Sequence, residues 1–134
     1  MRQDSDPLIQ RLIHLAEQHP SLAALWLYGS RARGDHHAQS DYDLAVAFSD
    51  WIDDPLERRL RPEMLALDWQ QELALADDML SIADMNQAPI PLCVSVLTDG
   101  ILLVDRNPGE RMRQEARILS FWEVDYLHPE GIYA

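Results

Sequence analysis

Leu25-Trp26-Leu27-Tyr28-Gly29-Ser30-Arg31-Ala32-Arg33-Gly34, running on to Ser40-Asp41-Tyr42-Asp43-Leu44-Ala45-Val46, decides how this 134-residue chain is read. An apolar run stops at Gly-Ser, a short basic segment follows, and a pair of aspartates opens a second apolar run. Buried strands from Ala23 to Tyr28 and from Asp43 to Phe48 fit the two runs, with the polar loop Asp35-His36-His37-Ala38-Gln39 between them. Side chains alternate along a strand, so Asp41 and Asp43 are expected to project the same way, with Tyr42 opposite.

Two neighbouring carboxylates repel unless a cation lies between them, and hard oxygen ligands of this kind suit Mg2+. Gly29 lets a backbone approach phosphate without a Cβ clash, and Ser30 offers a hydroxyl donor. Arg31 and Arg33 are the nearest cations to offset triphosphate charge, and Gly34 permits the turn back toward the aspartates. The combination points to a site for a metal-bound nucleoside triphosphate, with Asp41 and Asp43 as metal ligands and catalytic carboxylates. Each half alone is ordinary, since Gly-Ser is common in turns and Asp-x-Asp at strand ends. A calcium loop starting at Asp41 fails because Val46 stands where Gly is required and Ile52 where the closing Glu is required. A Walker loop fails for want of Gly-Lys-Ser/Thr.

Outward from this segment, Asp6-Pro7 reads as an N-cap and first helical residue, with Leu8, Leu12, Leu15 and Ala16 at helical spacing until His19-Pro20. Asp53-Asp54-Pro55 opens a second helical stretch; Pro62 inside it predicts either two helices or a kink near Arg61, continuing to about Ala76. Met79 to Met85 fits a third strand, and Ile90 to Leu97 is open between strand and short helix. Asp99-Gly100 marks a turn before a strand over Ile101 to Val104, and Asn107-Pro108 starts a last helix through Phe121. Alternating strands and helices predict an α/β or α+β layered fold in a single domain over residues 1–134.

The net charge of -12 repels polynucleotide phosphate, so a general nucleic-acid binder is not expected, whereas a basic protein partner is. The single Cys93 excludes an intramolecular disulfide, and its apolar neighbours predict a buried thiol. No apolar run reaches the ~18 residues that span a bilayer, and no secretory segment is visible, so a cytoplasmic protein without a membrane role is expected. The adjacent loop histidines, His36 and His37, read as solvated side chains, and His14 and His19 do not share a helix face.

Gly29-Ser30, ten residues, then Asp41-Tyr42-Asp43 resembles the nucleotidyltransferase superfamily that includes DNA polymerase beta, and within it the minimal nucleotidyltransferases. The fuller pattern Gly-Ser-x-Ala-Arg-Gly, then Ser-Asp-x-Asp-Leu, is matched by Gly29 to Gly34 and Ser40 to Leu44. Weaker likeness continues through Asp84 to Pro89 and Asp99 to Leu103. This resemblance implies a small mixed sheet flanked by helices, and a helix at Ile90 to Leu97. It also implies Mg2+-dependent transfer of AMP from ATP to a tyrosine of a cognate HEPN ribonuclease toxin, which would make the chain an antitoxin. The segment from about residue 108 to 134 is then the expected partner contact. One departure stands out: the superfamily's third carboxylate aligns with Ser81, leaving Asp78 and Asp84 as the nearest acids. That departure keeps open a second reading, neutralisation of the partner by binding alone. A third, nucleotide transfer to a small molecule of aminoglycoside type, is disfavoured by the little chain left after Arg106.

Overall fold

The computed structural model describes residues 6–127; the calls on the tail from His128 onward lie outside them. Helix α1 (Pro7–Gln18) starts where Asp6 caps it, its carboxylate accepting from the Leu8 amide at 2.9 Å. Strand β1 (Leu22–Tyr28) leads directly into the short helix α2 (Gly29–Arg33), and β2 (Tyr42–Phe48) returns antiparallel to β1. Helix α3 (Pro55–Glu72), strand β3 (Leu80–Asp84), helix α4 (Ile90–Asp99), strand β4 (Ile101–Asp105) and helix α5 (Pro108–Trp122) follow, and a π-helical turn spans Glu123–Leu127. The sheet order is β3-β2-β1-β4; β1 runs antiparallel to both its neighbours, and β2 runs parallel to β3. The expected small mixed sheet flanked by helices is thus what forms.

The two faces of the sheet are built differently. On one, Leu25, Leu27, Leu44, Val46 and Phe48 pack against α1 and α3 through Ile9, Leu12, Leu65 and Trp69. Each fully buried aliphatic side chain there contributes about 1.5–3 kcal/mol. On the other, Ala24, Ala45 and Ala47 leave room for α4 and α5 to approach through Cys93, Val96 and Ile118. Cys93 is fully buried as expected, and burial pushes its thiol up.

Of the two alternatives at Pro62, a single helix is what forms: α3 runs across it, with Pro62 buried. A proline there removes the amide that would bond the Arg58 carbonyl. Gln87 Nε2 donates to that carbonyl instead, at 2.7 Å, while also donating to Asp84 Oδ2 at 2.8 Å. The same helix ends at Glu72 rather than near Ala76. Ala74 adopts φ 55, which turns the chain back so that Leu75 bonds the Gln70 carbonyl and packs against the core. Gln70, itself buried, then accepts from the Leu80 amide at 2.9 Å and fixes the start of β3. The open segment at Ile90 resolves as helix.

Candidate active site

The site grows from the junction of β1 and α2. Tyr28 lies opposite Asp43 in the β1–β2 register, so the residue after it sits directly over the aspartate. Gly29 has φ 72, and a Cβ placed there would lie 2.3 Å from Asp43 Oδ2. Glycine is therefore demanded twice, by the left-handed backbone and by the carboxylate pressed against it. Ser30 follows in the first turn of α2, where helix amides lack partners of their own. The helix closes at Gly34, with φ 84, whose amide and that of Asp35 both bond the Ser30 carbonyl, at 2.9 and 3.1 Å. The loop that follows delivers Asp41 to the entry of β2, exposed, two residues before the half-buried Asp43.

Burial and then the Asp41 carboxylate raise the Asp43 carboxyl above its ordinary range, while Arg33 pulls the other way. The same two aspartates, after burial, raise Tyr28. Asp41 thus lies within electrostatic reach of Asp43, and a divalent cation between them would relieve that repulsion. The donor set fits Mg2+ with two protein ligands, its remaining positions left to phosphate oxygens and water. Among the described residues no cluster of three or more His, Cys, Asp or Glu side chains offers a fuller protein cage.

The two arginines separate. Arg31 is engaged within the protein: its guanidinium donates to the Ser40 carbonyl at 2.8 and 3.1 Å and to the His37 and Ala38 carbonyls. It also covers the Tyr42 ring at 3.8 Å and reaches Asp6 at 3.9 Å. Its bonds to these carbonyls tie it to the loop that carries Asp41. Arg33 is exposed, held loosely by an ion pair to Asp35 at 3.3 Å. Exposed pairs of that kind are worth little, so Arg33 can be recruited by an anion. Tyr42 faces the opposite core, its hydroxyl donating to Asp6 at 2.9 Å and its pKa pushed up to about 12 by burial and that bond.

Ser81 stands directly beside Asp43 in the parallel β2–β3 register, where a third carboxylate would have to be. Of the two acids considered in its place, Asp84 is committed elsewhere. It is buried, accepts from the Asn86 amide at 2.9 Å and from Gln87, and is raised chiefly by desolvation. Asp78, at φ 68, is exposed and lines a cleft of about 570 Å3 together with Asp41, Ser81 and Glu63. Glu63 was not singled out by sequence reading, because a helical glutamate twenty residues beyond Asp43 carries no local signal. Tyr28 was read only as a strand residue, although alternation from Trp26 puts it on the aspartate face.

Comparison with known proteins agrees with this geometry. Residues 10–109 match the family model described as polymerase beta, nucleotidyltransferase. Over 87 residues the chain is 32% identical to the protein adenylyltransferase MntA of Shewanella oneidensis, covering 64% of this chain and 56% of that protein. The match thus spans little more than half of the curated relative's length. A toxin-antitoxin crystal structure with AMP-PNP superimposes with TM-score 0.67 at 24% identity, covering 90% of each chain. A Shewanella oneidensis complex of MNT antitoxin with tri-AMPylated HEPN toxin gives TM-score 0.61 at 22% identity, covering 97% of this chain and 92% of that one. At these identities the two structures show a shared fold. The family match, the Gly29–Asp43 approach and the paired aspartates converge: this chain belongs to the polymerase beta nucleotidyltransferase family.

Proposed function

We propose that this chain is a protein adenylyltransferase that moves AMP from ATP to a tyrosine hydroxyl of a helical HEPN ribonuclease partner and so acts as its antitoxin. The observation that carries the proposal is the seating of Asp43 against Gly29, which brings the phosphate-binding turn onto the carboxylate pair. In this reading Asp41 and Asp43 hold Mg2+, whose charge would neutralise the triphosphate and align the α-phosphorus for in-line attack. Gly29 and Ser30 face the phosphates, and Arg33 offsets the charge of the departing pyrophosphate. Arg31 acts at one remove by holding the loop that positions Asp41. The tyrosine oxygen forms a bond to the α-phosphorus, the bond to the bridging oxygen breaks, and pyrophosphate carries the electron pair away. The phenolic proton passes to solvent. Support comes from the adenylyltransferase name of the Shewanella relative and from the toxin complexes that share the fold. The exposed side chains Met112, Leu119 and Phe121 on α5 support a share of the partner contact for the C-terminal helix.

The test is incubation with ATP, Mg2+ and the product of the adjacent reading frame, followed by intact mass. An AMP-sized increment on that partner, abolished by Asp41→Ala with Asp43→Ala, is expected; no increment with folded protein sinks the proposal. Ser81 at the third carboxylate position favours one other reading, masking of the partner without chemistry. Full neutralisation by the double alanine variant at equal stoichiometry would establish it.

A further inference from the structure

Helix α3 presents to solvent a row that neither core uses. Leu56, Leu60, Met64 and Leu67 are 62%, 37%, 54% and 55% exposed. Their spacing of four, four and three residues puts them on one stripe, while Leu65, Ala66, Trp69 and Gln70 turn inward. A surface helix normally places charge where this one places large apolar side chains, and contiguous exposed apolar rows mark interaction sites. The row does not end in open solvent. Leu67 also lines the cleft bordered by Asp41 and Ser81, so the stripe reaches one edge of the candidate site.

We infer that the α3 stripe and this cleft form the docking face for the acceptor protein, an amphipathic segment with an apolar face and flanking lysines or arginines. The inference rests on the adenylyltransferase reading of the site. Charge chooses the occupant. The cleft is lined by Asp41, Glu63 and Asp78 and by no Lys or Arg; helical spacing puts exposed Arg59 beside Glu63, and on the other flank Glu57 and Asp68 with Arg61, which is already paired to Asp50. An apolar strip whose surroundings are acidic on balance, Arg59 being its one exposed cation not paired to a carboxylate among the described residues, disfavours a second copy of this chain, whose net charge is also -12, and favours a basic segment. Anchored on Leu60 and Met64, such a segment would bring a hydroxyl bound at the Leu67 end toward Ser81 and Asp41. The missing carboxylate at Ser81 then leaves space on the acceptor side of the site.

The test uses the full chain with the product of the adjacent reading frame as acceptor. Leu60→Glu with Met64→Glu alters exposed positions only and is expected to fold. It should raise the acceptor KM about tenfold or more while leaving kcat at saturating acceptor and the affinity for MgATP unchanged. Glu63→Lys should also raise the acceptor KM and flatten its dependence on salt. Amide exchange across residues 56–67 should slow when the acceptor is added. Wild-type transfer with an acceptor KM that the double variant does not move overturns the inference while sparing the proposed function. A self-associated wild type that the double variant dissociates assigns the stripe to a second copy and overturns it equally. If the wild type transfers no AMP, the proposed function fails and exchange decides the docking face: protection of residues 56–67 sustains it, and no protection overturns it.

Discussion

At the scale of single residues, the site's most constrained contact is between a glycine and an aspartate fourteen positions apart in a strand-turn-strand frame. Gly29→Ala would put a methyl group 2.3 Å from Asp43 Oδ2 at a φ of 72, so the carboxylate must move. The left-handed backbone costs about 1–2 kcal/mol for alanine, which the fold can absorb. Displacement of a metal-holding oxygen by an ångström costs about 100-fold in rate, so a folded variant with at least that loss of AMP transfer is expected. Circular dichroism beside the transfer assay separates the two effects. Asp43 also makes a pH-dependent prediction. Folding raises its pKa, through burial and then Asp41. A carboxyl raised on folding contributes stability below its unfolded pKa and loses it as pH climbs through the folded value. At neutral pH the wild type has therefore lost that contribution, whereas asparagine has no charge to bury. Asp43→Asn should melt higher than wild type at pH 7 in chelator, with the gap closing below pH ~4. MgATP should raise the melting temperature of the wild type and not that of the variant. Equal melting at pH 7 would show that the two carboxylates do not strain each other.

At the scale of elements, the one proline-interrupted helix among the described residues is held together from outside. The Arg58 carbonyl, deprived of its helical donor by Pro62, receives Gln87 Nε2, which Asp84 orients in turn. Gln87→Ala should cost about 1 kcal/mol, seen as a melting temperature lower by a few degrees. In a Pro62→Ala background residue 62 regains its amide, so the same substitution should cost less. A double-mutant cycle with no coupling would disprove the substitution of one donor for the other. This device explains why the helix was ambiguous from sequence: its rescuing donor lies 29 positions from the carbonyl it serves. The elements whose signals are local were legible. Asp6-Pro7 and Asn107-Pro108 mark helix starts, and Ala23 to Tyr28 and Asp43 to Phe48 mark the two central strands, because caps and buried runs are written in adjacent residues. The helix at Ile90 was legible only through the family resemblance. In the candidate site, Gly29, Asp41 and Asp43 were legible as a motif, while the bonds of Arg31 to its loop were not, since the carbonyls of His37, Ala38 and Ser40 are invisible until the loop closes.

At the scale of the whole molecule, charge and chemistry pull against each other. A chain of net charge -12 gathers its paired carboxylates where the proposed function puts an anionic triphosphate, and Arg31 is bonded to the loop. Two ranges of electrostatics can be told apart by salt. At 0.01 M ionic strength the Debye length is about 30 Å, and the whole molecule repels the nucleotide; at 0.15 M it is about 8 Å, and only neighbours of the site are felt. Metal-free ATP should therefore bind more tightly as salt is added over this range, the reverse of an ordinary phosphate site. With Mg2+ present the carboxylate pair is neutralised locally, so the dependence should flatten. Equilibrium dialysis of ATP in chelator and in Mg2+ at several KCl concentrations measures both slopes. Weaker metal-free binding at higher salt would show that Arg33 and the α2 amides outweigh the net field. The acidic surface would then serve partner recognition alone, with no part in making the nucleotide wait for its metal.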